Sequence, residues 1–473
     1  MVKDWLEVIT RKPKRTIVDK IHDTISLFEP LNAVIDTRQF QRLRELTQTG
    51  AAKCVFPCAD HRRFEHSLGV YHLSLRWVLE LRKSESPSEI ESKITGADVL
   101  CVALAGLIHD LGSLDLHEKG SEMMFEYLLA EYPQVKEKLM QYMTEEDLKF
   151  VYEIIDPPKP LVCVDEMSMT FCFQIQNDKW MPKYRPKEKA FLFDIVSNPC
   201  CGLDVDKLDY FLRDSKAANV GISFEKTALD RICNNMRVCY SEARKHKGIA
   251  FDEKVSDSIE MRVYIELEST FTCRIELHAK IYQHKTTLAF QHLLVEVLRA
   301  ADPYIKFYAK NGKCYRMSTA FKDMSAFCQL DDRIERSGLP EMKEAQRLYK
   351  NWLERKQPRL IGKWKFRTEE NYKKEAAKVS EFLVEKGICQ NDIIFQQTSL
   401  HRGLGLTMHP LHKVDLYNSK RQNPVTKQMP DVKSSAGYSE IYVYLTNPKD
   451  FEDESYNFLG DSLDKFIATE VSN

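Results

Sequence analysis

The stretch that most constrains this chain is residues 97–110, ADVLCVALAGLIHD, an apolar run closed by the adjacent His109 and Asp110 and followed by Leu111 and Gly112. Its apolar side chains go almost all the way round a 3.6-residue wheel, so a helix buried on most sides is expected. It is too short to span a bilayer. Such a helix brings an imidazole and a carboxylate into the interior, at a cost on the order of several kcal/mol unless something pairs them. A divalent cation satisfies both groups at once. The plain alternative is that Asp110 caps the helix end or hydrogen-bonds His109, and only partners elsewhere in the chain decide between the two.

The chain has 473 residues, 43% of them hydrophobic, enough for globular cores in more than one domain. Lys plus Arg (69) balances Asp plus Glu (70), so no overall field attracts nucleic acid or anionic membrane. Any polyanion site must come from locally gathered basic residues. The 13 cysteines are odd in number, lie in apolar contexts such as Cys101 and Cys273, and follow no signal peptide. That fits free thiols in a reducing compartment, nucleus or cytosol. Cys54 with Cys58, and the vicinal Cys200 and Cys201, have no second ligand pair near them.

Along the chain, the basic pentamer at 11–15 is a nuclear import signal, a phosphate contact or a solvated arm. Residues 36–50 read as a helix with Asp36 as N-cap, Phe40, Leu43 and Leu46 on one side and Gly50 as its stop. A second amphipathic helix starts at Arg63 and carries His66. Beyond Gly112, only residues 113–116 precede a helix opened by His117 and Glu118. Residues 144–155 add a short helix, and 156–186, with several prolines, read as a long surface connection. In residues 204–214, DVDKLDYFLRD, the spacing i, i+4, i+8 places Asp206, Tyr210 and Asp214 on one stripe with Lys207 at its edge. Arg237 is expected on a helix, residues 263–275 on a strand or helix, and Arg274, His278, Tyr282 and Lys285 near one helical face. From about residue 332 the character changes to basic, Trp-containing segments, a GLGLT turn at 403–407 and a strand at 440–446, as in a smaller α+β lobe. The acidic residues 450–473 are expected to form a loosely attached helix.

His66, His109, Asp110 and Asp206 make a mixed N/O set for one divalent transition metal, with coordination left for water and phosphate oxygen. The order H…HD…D resembles the HD metal-dependent phosphohydrolases. The longer motifs DTRQFQRLR (36–44), RFEHSLGV (63–70), GLIHDLG (106–112), GSEMMFE (120–126), DVDKLDYFLRD (204–214) and YQHK (282–285) resemble the SAM-and-HD-domain deoxynucleoside triphosphate triphosphohydrolases. The resemblance is close over residues 16–330 and weak beyond. It implies a mostly α-helical HD-domain phosphohydrolase fold with a smaller α+β C-terminal lobe. The expected division is a basic arm at 1–15, a catalytic domain at 16–330 and a regulatory or oligomerisation lobe at 331–473, with no SAM domain ahead of them.

Carried over residue by residue, the resemblance implies that His66, His109, Asp110 and Asp206 hold iron, manganese or zinc, with magnesium on the nucleotide phosphates. Arg63, Lys207, Arg274 and His278 would meet the triphosphate, Gln48 and Asp214 the sugar, and Gln283 the base. Tyr210 and Tyr282 would pack beneath the sugar and exclude a 2′-hydroxyl. His117 would be an acid-base group at the phosphate. Several have a plainer reading: salt bridges for Arg63 and Lys207, aromatic core for the tyrosines, helix capping for His117. A second site follows at Asp36, whose carboxylate can grip the paired N–H donors of guanine while Gln41 reads the remaining edge and Arg44 and Arg15 meet phosphate. The plain alternative there is capping by Asp36 and a surface salt bridge to Arg44. In the family this site takes a guanine nucleotide, GTP or dGTP, and activation assembles dimers into tetramers. Val18 and the segment around Glu260 and Arg262 depart from the family's pattern at its further effector site.

The expected activity is hydrolysis of dNTPs, dGTP included, to deoxynucleoside and triphosphate in the nucleus, with no membrane partner. Two alternatives are an HD nucleotidase or phosphodiesterase acting on monophosphates or cyclic nucleotides, and a weakly active or inactive homologue that binds dNTP or single-stranded nucleic acid. The last is suggested by a departure from the family: the histidine-containing insert that follows HDLG is reduced to residues 113–116. That gap fits lowered turnover or an alternatively spliced chain.

Overall fold

The computed structural model describes residues 2–84, 93–112, 117–158, 182–252, 260–333, 341–366, 369–417, 427–428, 435–446 and 453–471. The apolar run at 97–110 forms a helix, Gly96–Ile108, in which every residue but Ala97 is buried. Thr95 caps it: its hydroxyl oxygen accepts from the Asp98 N–H at 3.2 Å, and the Asp98 carboxylate accepts from the Thr95 N–H at 2.9 Å. This reciprocal pairing satisfies two otherwise orphaned donors. The helix Arg63–Lys83 lies alongside it. They approach tightly at Gly106, where a Cβ would stand 2.1 Å from Ser74 Oγ and 3.1 Å from the Val70 carbonyl oxygen.

With this pair the helices His117–Glu131, Glu145–Ile155, Val205–Ala218 and Glu260–Leu277 share one large apolar core, which the helix Lys285–Ala301 joins at Ala301 while its Leu288 and Ala289 pack with Tyr442 and Tyr444. An N-terminal hairpin, Arg15–Asp19 with Asp23–Leu27, closes one side. A four-stranded sheet has the order Lys427–Gln428, Asp415–Tyr417, His246–Asp252, Met236–Ser241. A separate core lies between an antiparallel sheet, in the order Arg359–Phe366, Gly437–Leu445, Ile393–His401, and the helices Glu369–Glu385 and Asp453–Phe466. The mostly helical fold with a smaller mixed C-terminal region matches the expected class. Leu411, Val414 and Leu416 nevertheless belong to the larger core, so chain position does not divide the two cores cleanly.

Several local expectations fail. Asp36 is not an N-cap; it ends the short helix Leu31–Ile35, and Thr37 caps the next turn, Arg38–Gln41, by accepting from the Phe40 N–H at 3.4 Å. That helix tightens into a 3₁₀ turn, Arg42–Glu45, and Gly50 at φ +54° opens a further 3₁₀ turn, Gly50–Cys54. Arg237 lies on the strand Met236–Ser241, paired with His246–Asp252. The face proposed for Arg274 and Lys285 is interrupted by a π-helical turn, His278–Tyr282, and a fresh start at His284. The last helix is not loosely attached: Tyr456, Leu459 and Leu463 fill the second core, and a Cβ on Gly362 would stand 2.7 Å from Leu463 Cδ2. Most of the long connection at 156–186 and the short segment at 113–116 lie outside the described residues.

Candidate metal centre

Three helices bring the donors together. Leu46 and Gln48 pair with the segment before the helix Arg63–Lys83, the Leu46 carbonyl accepting from Arg63 N–H at 2.9 Å and the His61 carbonyl from Gln48 N–H at 2.9 Å. This fixes the first turn, where His66 points inward, 1% exposed. His109 follows the last turn of Gly96–Ile108 and donates from Nδ1 to the Gly106 carbonyl at 2.9 Å. The helix Val205–Ala218 starts at Asp204, whose carboxylate accepts from the Lys207 N–H at 3.0 Å and the Lys207 ammonium at 2.7 Å. Asp206 is therefore held in the first turn, facing the histidines.

Both imidazoles direct Nε2 to one point. His66 Nδ1 donates to Asp209 Oδ2 at 2.8 Å, so the two Nε2 atoms, 3.3 Å apart, are the free ring nitrogens. Asp206 Oδ1 lies 3.0 Å from His66 Nε2 and 3.5 Å from His109 Nε2, while Asp110 Oδ2 is 3.9 Å from each. Two nitrogen lone pairs this close repel unless a cation or a proton lies between them. Burial disfavours charge on His66, but Asp206 and Asp209 at its two nitrogens outweigh that and raise its pKa to about 10. His109 is also raised, burial being overcome by Asp110 and Asp206. Burial works likewise against ionised Asp110, and Arg63, 2.5 Å away, holds its carboxyl below the usual range. Among the described residues, His66, His109 and Asp110 are grouped closely enough to ligate one ion. Two nitrogens and two carboxylates in a concave site suit a divalent transition metal.

The donors open into a cavity of about 860 Å³. Gln48, Arg63, Asp110, Asp206, Lys207 and Tyr282 line its polar side. Leu294, Val295 and Leu298 line an apolar side. Gln48 Oε1 is buried with no hydrogen-bond partner among the described residues. An unmet acceptor on the wall of a cavity favours a ligand that brings a donor. Lys207 is kept protonated: burial opposes its charge, and Asp204 and Asp206 more than compensate.

The other expected substrate residues are set back from this cavity. Tyr210 stands behind His66, ring centroids 6.5 Å apart. Asp214 is engaged by His61 Nε2 at 2.7 Å and by the Tyr282 hydroxyl. Arg274 donates to the His401 carbonyl, and Gln283 Nε2 to the Ser399 carbonyl at 3.4 Å. Burial, reinforced by Arg274, pushes His278 down to about 3, so it is neutral. The side chain of His117 lies outside the described residues.

The expected activator residues do gather on one surface. Arg15 Nη2 donates to Asp36 Oδ1 at 2.9 Å, Gln41 Nε2 to the Ile35 carbonyl at 2.8 Å, and Arg44 Nε to Gln41 Oε1 at 2.8 Å. The Arg44 guanidinium lies 3.5 Å over the Phe64 ring. The ion pair of Asp36 is thus with Arg15, not Arg44. Sequence reasoning passed over Asp204, which holds Lys207, and Asp209, which holds His66. It also passed over His61 at Asp214.

Residues 63–157 match the HD domain family. The deoxynucleoside triphosphate triphosphohydrolase SAMHD1 of Bos taurus is 33% identical over 85% of this chain and 69% of its own length. The chain belongs to the HD-domain dNTP triphosphohydrolase family. The SAMHD1 proteins of Gallus gallus and Homo sapiens are 36% and 35% identical over 70% and 71% of this chain. The chain spans about half the length of those two relatives, 53% of each. The family match covers both histidine-bearing helices, Arg63–Lys83 and Gly96–Ile108, while Asp206 comes from beyond it.

Proposed function

We propose that this chain hydrolyses dNTPs, dGTP among them, to deoxynucleoside and triphosphate at the His66, His109, Asp110 and Asp206 centre. The convergence of two Nε2 atoms on Asp110 and Asp206 carries the reading. Iron, manganese or zinc bound there would supply Lewis-acid polarisation and a more acidic water. Arg63 and Lys207, both on the cavity wall, neutralise charge that builds on the phosphates as water adds to the α-phosphorus and the bond to the 5′-oxygen breaks. The leaving 5′-oxygen needs a proton, and His117 is the candidate donor. The unmet Oε1 of Gln48 is the candidate acceptor for a sugar hydroxyl, and Tyr282, whose hydroxyl donates to Asp214, is the candidate to exclude a 2′-hydroxyl. Magnesium would accompany the incoming phosphates.

The surface formed by Arg15, Asp36, Gln41 and Arg44 supports activation by GTP or dGTP and assembly of dimers into tetramers, with residues 331–473 as the regulatory and oligomerisation lobe. The basic segment 11–15 supports nuclear import. No described helix is long and apolar enough to cross a membrane. A second reading rests on the short segment 113–116: binding of dNTP or single-stranded nucleic acid with little turnover. Elemental analysis of wild type and Asp206→Ala, with dNTP turnover measured in parallel, tests both. Metal in the wild type, its loss in a folded variant and turnover that disappears with it support the hydrolase. Metal and dNTP binding without product supports the second reading.

A further inference from the structure

Behind the metal ligands lies a carboxylate with no exposure to solvent. Asp209 sits on the helix Val205–Ala218, one turn past Asp206, and is 0% exposed. Its Oδ2 accepts from His66 Nδ1 at 2.8 Å and Arg213 Nε at 2.8 Å. Its Oδ1 accepts from His22 Nε2 at 2.7 Å and Arg213 Nη2 at 2.9 Å. Arg213 also grips Asp19, at 2.8 and 3.3 Å, and Asp19 Oδ1 accepts the backbone N–H groups of Ile21 and His22, each at 2.8 Å. Two side chains therefore tie the turn of the N-terminal hairpin to Asp209. Room for this carboxylate comes from Gly69 within the helix Arg63–Lys83. A Cβ there would stand 1.9 Å from Asp209 Oδ1 and 2.5 Å from Arg213 Nη2. A glycine inside a helix costs about 1 kcal/mol relative to alanine, so its presence here fits a requirement for that space.

We propose that Asp209 is the positioning residue of His66 and that His22 holds Asp209 in place, so that the hairpin turn contributes to the metal affinity of a site it does not touch. The proposal rests on His66 being a metal ligand. The Asp209 carboxylate fixes the Nδ1–H tautomer and the ring plane, and so aims the Nε2 lone pair at the point shared with His109 and Asp206. Its charge also makes that nitrogen a stronger donor. Removing His22 takes one of the two donors from Oδ1 and leaves that side of the carboxylate held by Arg213 alone, so the plane presented to His66 is less firmly fixed.

Mn(II), followed by electron paramagnetic resonance of the free ion, is the probe, and thermal unfolding in EDTA separates folding from binding. Asp209→Asn weakens Mn(II) binding by about 10–100-fold, the usual range for loss of such a partner. His22→Ala weakens it by about tenfold. His22→Gln keeps an N–H donor and restores most of the loss, which a merely structural defect would not do. Should Asp209→Asn fail to fold in EDTA, the His22 pair carries the test. Folded variants that bind Mn(II) as tightly as a metal-binding wild type overturn this proposal alone. A wild type that takes up no Mn(II) overturns the metal reading of His66 and this proposal with it.

Discussion

Gly106→Ala is the sharpest test of how the two histidine-bearing helices are held. Alanine in a helix interior is intrinsically better than glycine by about 1 kcal/mol, so propensity alone predicts stabilisation. Packing opposes it. The added Cβ would stand 2.1 Å from Ser74 Oγ, 2.9 Å from Ser74 Cβ and 3.1 Å from the Val70 carbonyl oxygen. The hydroxyl can rotate away, but the other two contacts belong to the facing helix and yield only if the helices separate by a few tenths of an ångström. Overpacking of this kind costs roughly 1–3 kcal/mol, which outweighs the propensity gain or at least cancels it. A net loss of about 1 kcal/mol is expected. Separation also moves His66 from His109, whose Nε2 atoms are 3.3 Å apart, so metal affinity falls with stability. Ser74 Oγ is buried with no hydrogen-bond partner among the described residues, so Ser74→Ala removes the nearest clash with no such bond lost, and the double variant recovers part of the loss. Urea unfolding followed by circular dichroism, with Mn(II) titration of each variant, measures both effects. A Gly106→Ala protein at least as stable as wild type, with unchanged metal affinity, would refute the view that this contact sets the spacing of the donors.

Other outcomes follow from the same geometry. Burial pushes His72 down to about 4 from the ordinary 6.5, so the unfolded chain takes up a proton in that interval and the folded one does not. The stability it contributes is full above pH 6.5 and is lost as pH falls toward 4, at no more than about 1.4 kcal/mol per pH unit; His72→Gln flattens that part of the profile in urea unfolding, and an unchanged slope contradicts the assignment. Asp36→Ala removes the Arg15 ion pair and, on the activator reading, the guanine contact, so GTP raises the mass of wild type but not of the variant in sedimentation. Identical masses for the two proteins with and without GTP would sink that reading. His117→Ala is expected to lower dNTP turnover by about 10²–10⁴-fold with metal content unchanged, and undiminished turnover would remove His117 from proton transfer.

What could be read from sequence was what repeats locally. The apolar run at 97–110 and the stripe of Asp206, Tyr210 and Asp214 need no distant partner to be seen, and both helices form close to where the pattern puts them. Asp36 misled because two cap-competent residues stand side by side, and the choice is made by Arg15, which takes the Asp36 carboxylate and leaves Thr37 to cap. The local pattern around Arg237 is helical, and what makes it a strand, the His246–Asp252 strand and the Tyr417 ring beneath its guanidinium, comes later in the chain. Asp209 was invisible as a functional group for the same reason: His22, 187 residues away, and His66, 143 away, give it meaning. The last helix was a different failure. Tyr456, Leu459 and Leu463 carry an i, i+3, i+7 pattern that was there to be read, but the acidic residues around them dominated the composition.

On the proposed function, water attacks the α-phosphorus of a deoxynucleoside triphosphate at the centre formed by His66, His109, Asp110 and Asp206. Incubating the Mn(II)-loaded protein with dGTP in ¹⁸O-water, then resolving the products by ³¹P NMR and mass spectrometry, examines it directly. The expected products are inorganic triphosphate carrying one ¹⁸O and unlabelled deoxyguanosine, with neither formed by Asp206→Ala. Release of orthophosphate or pyrophosphate, ¹⁸O in the deoxyguanosine, or full activity of the Asp206 variant would contradict it.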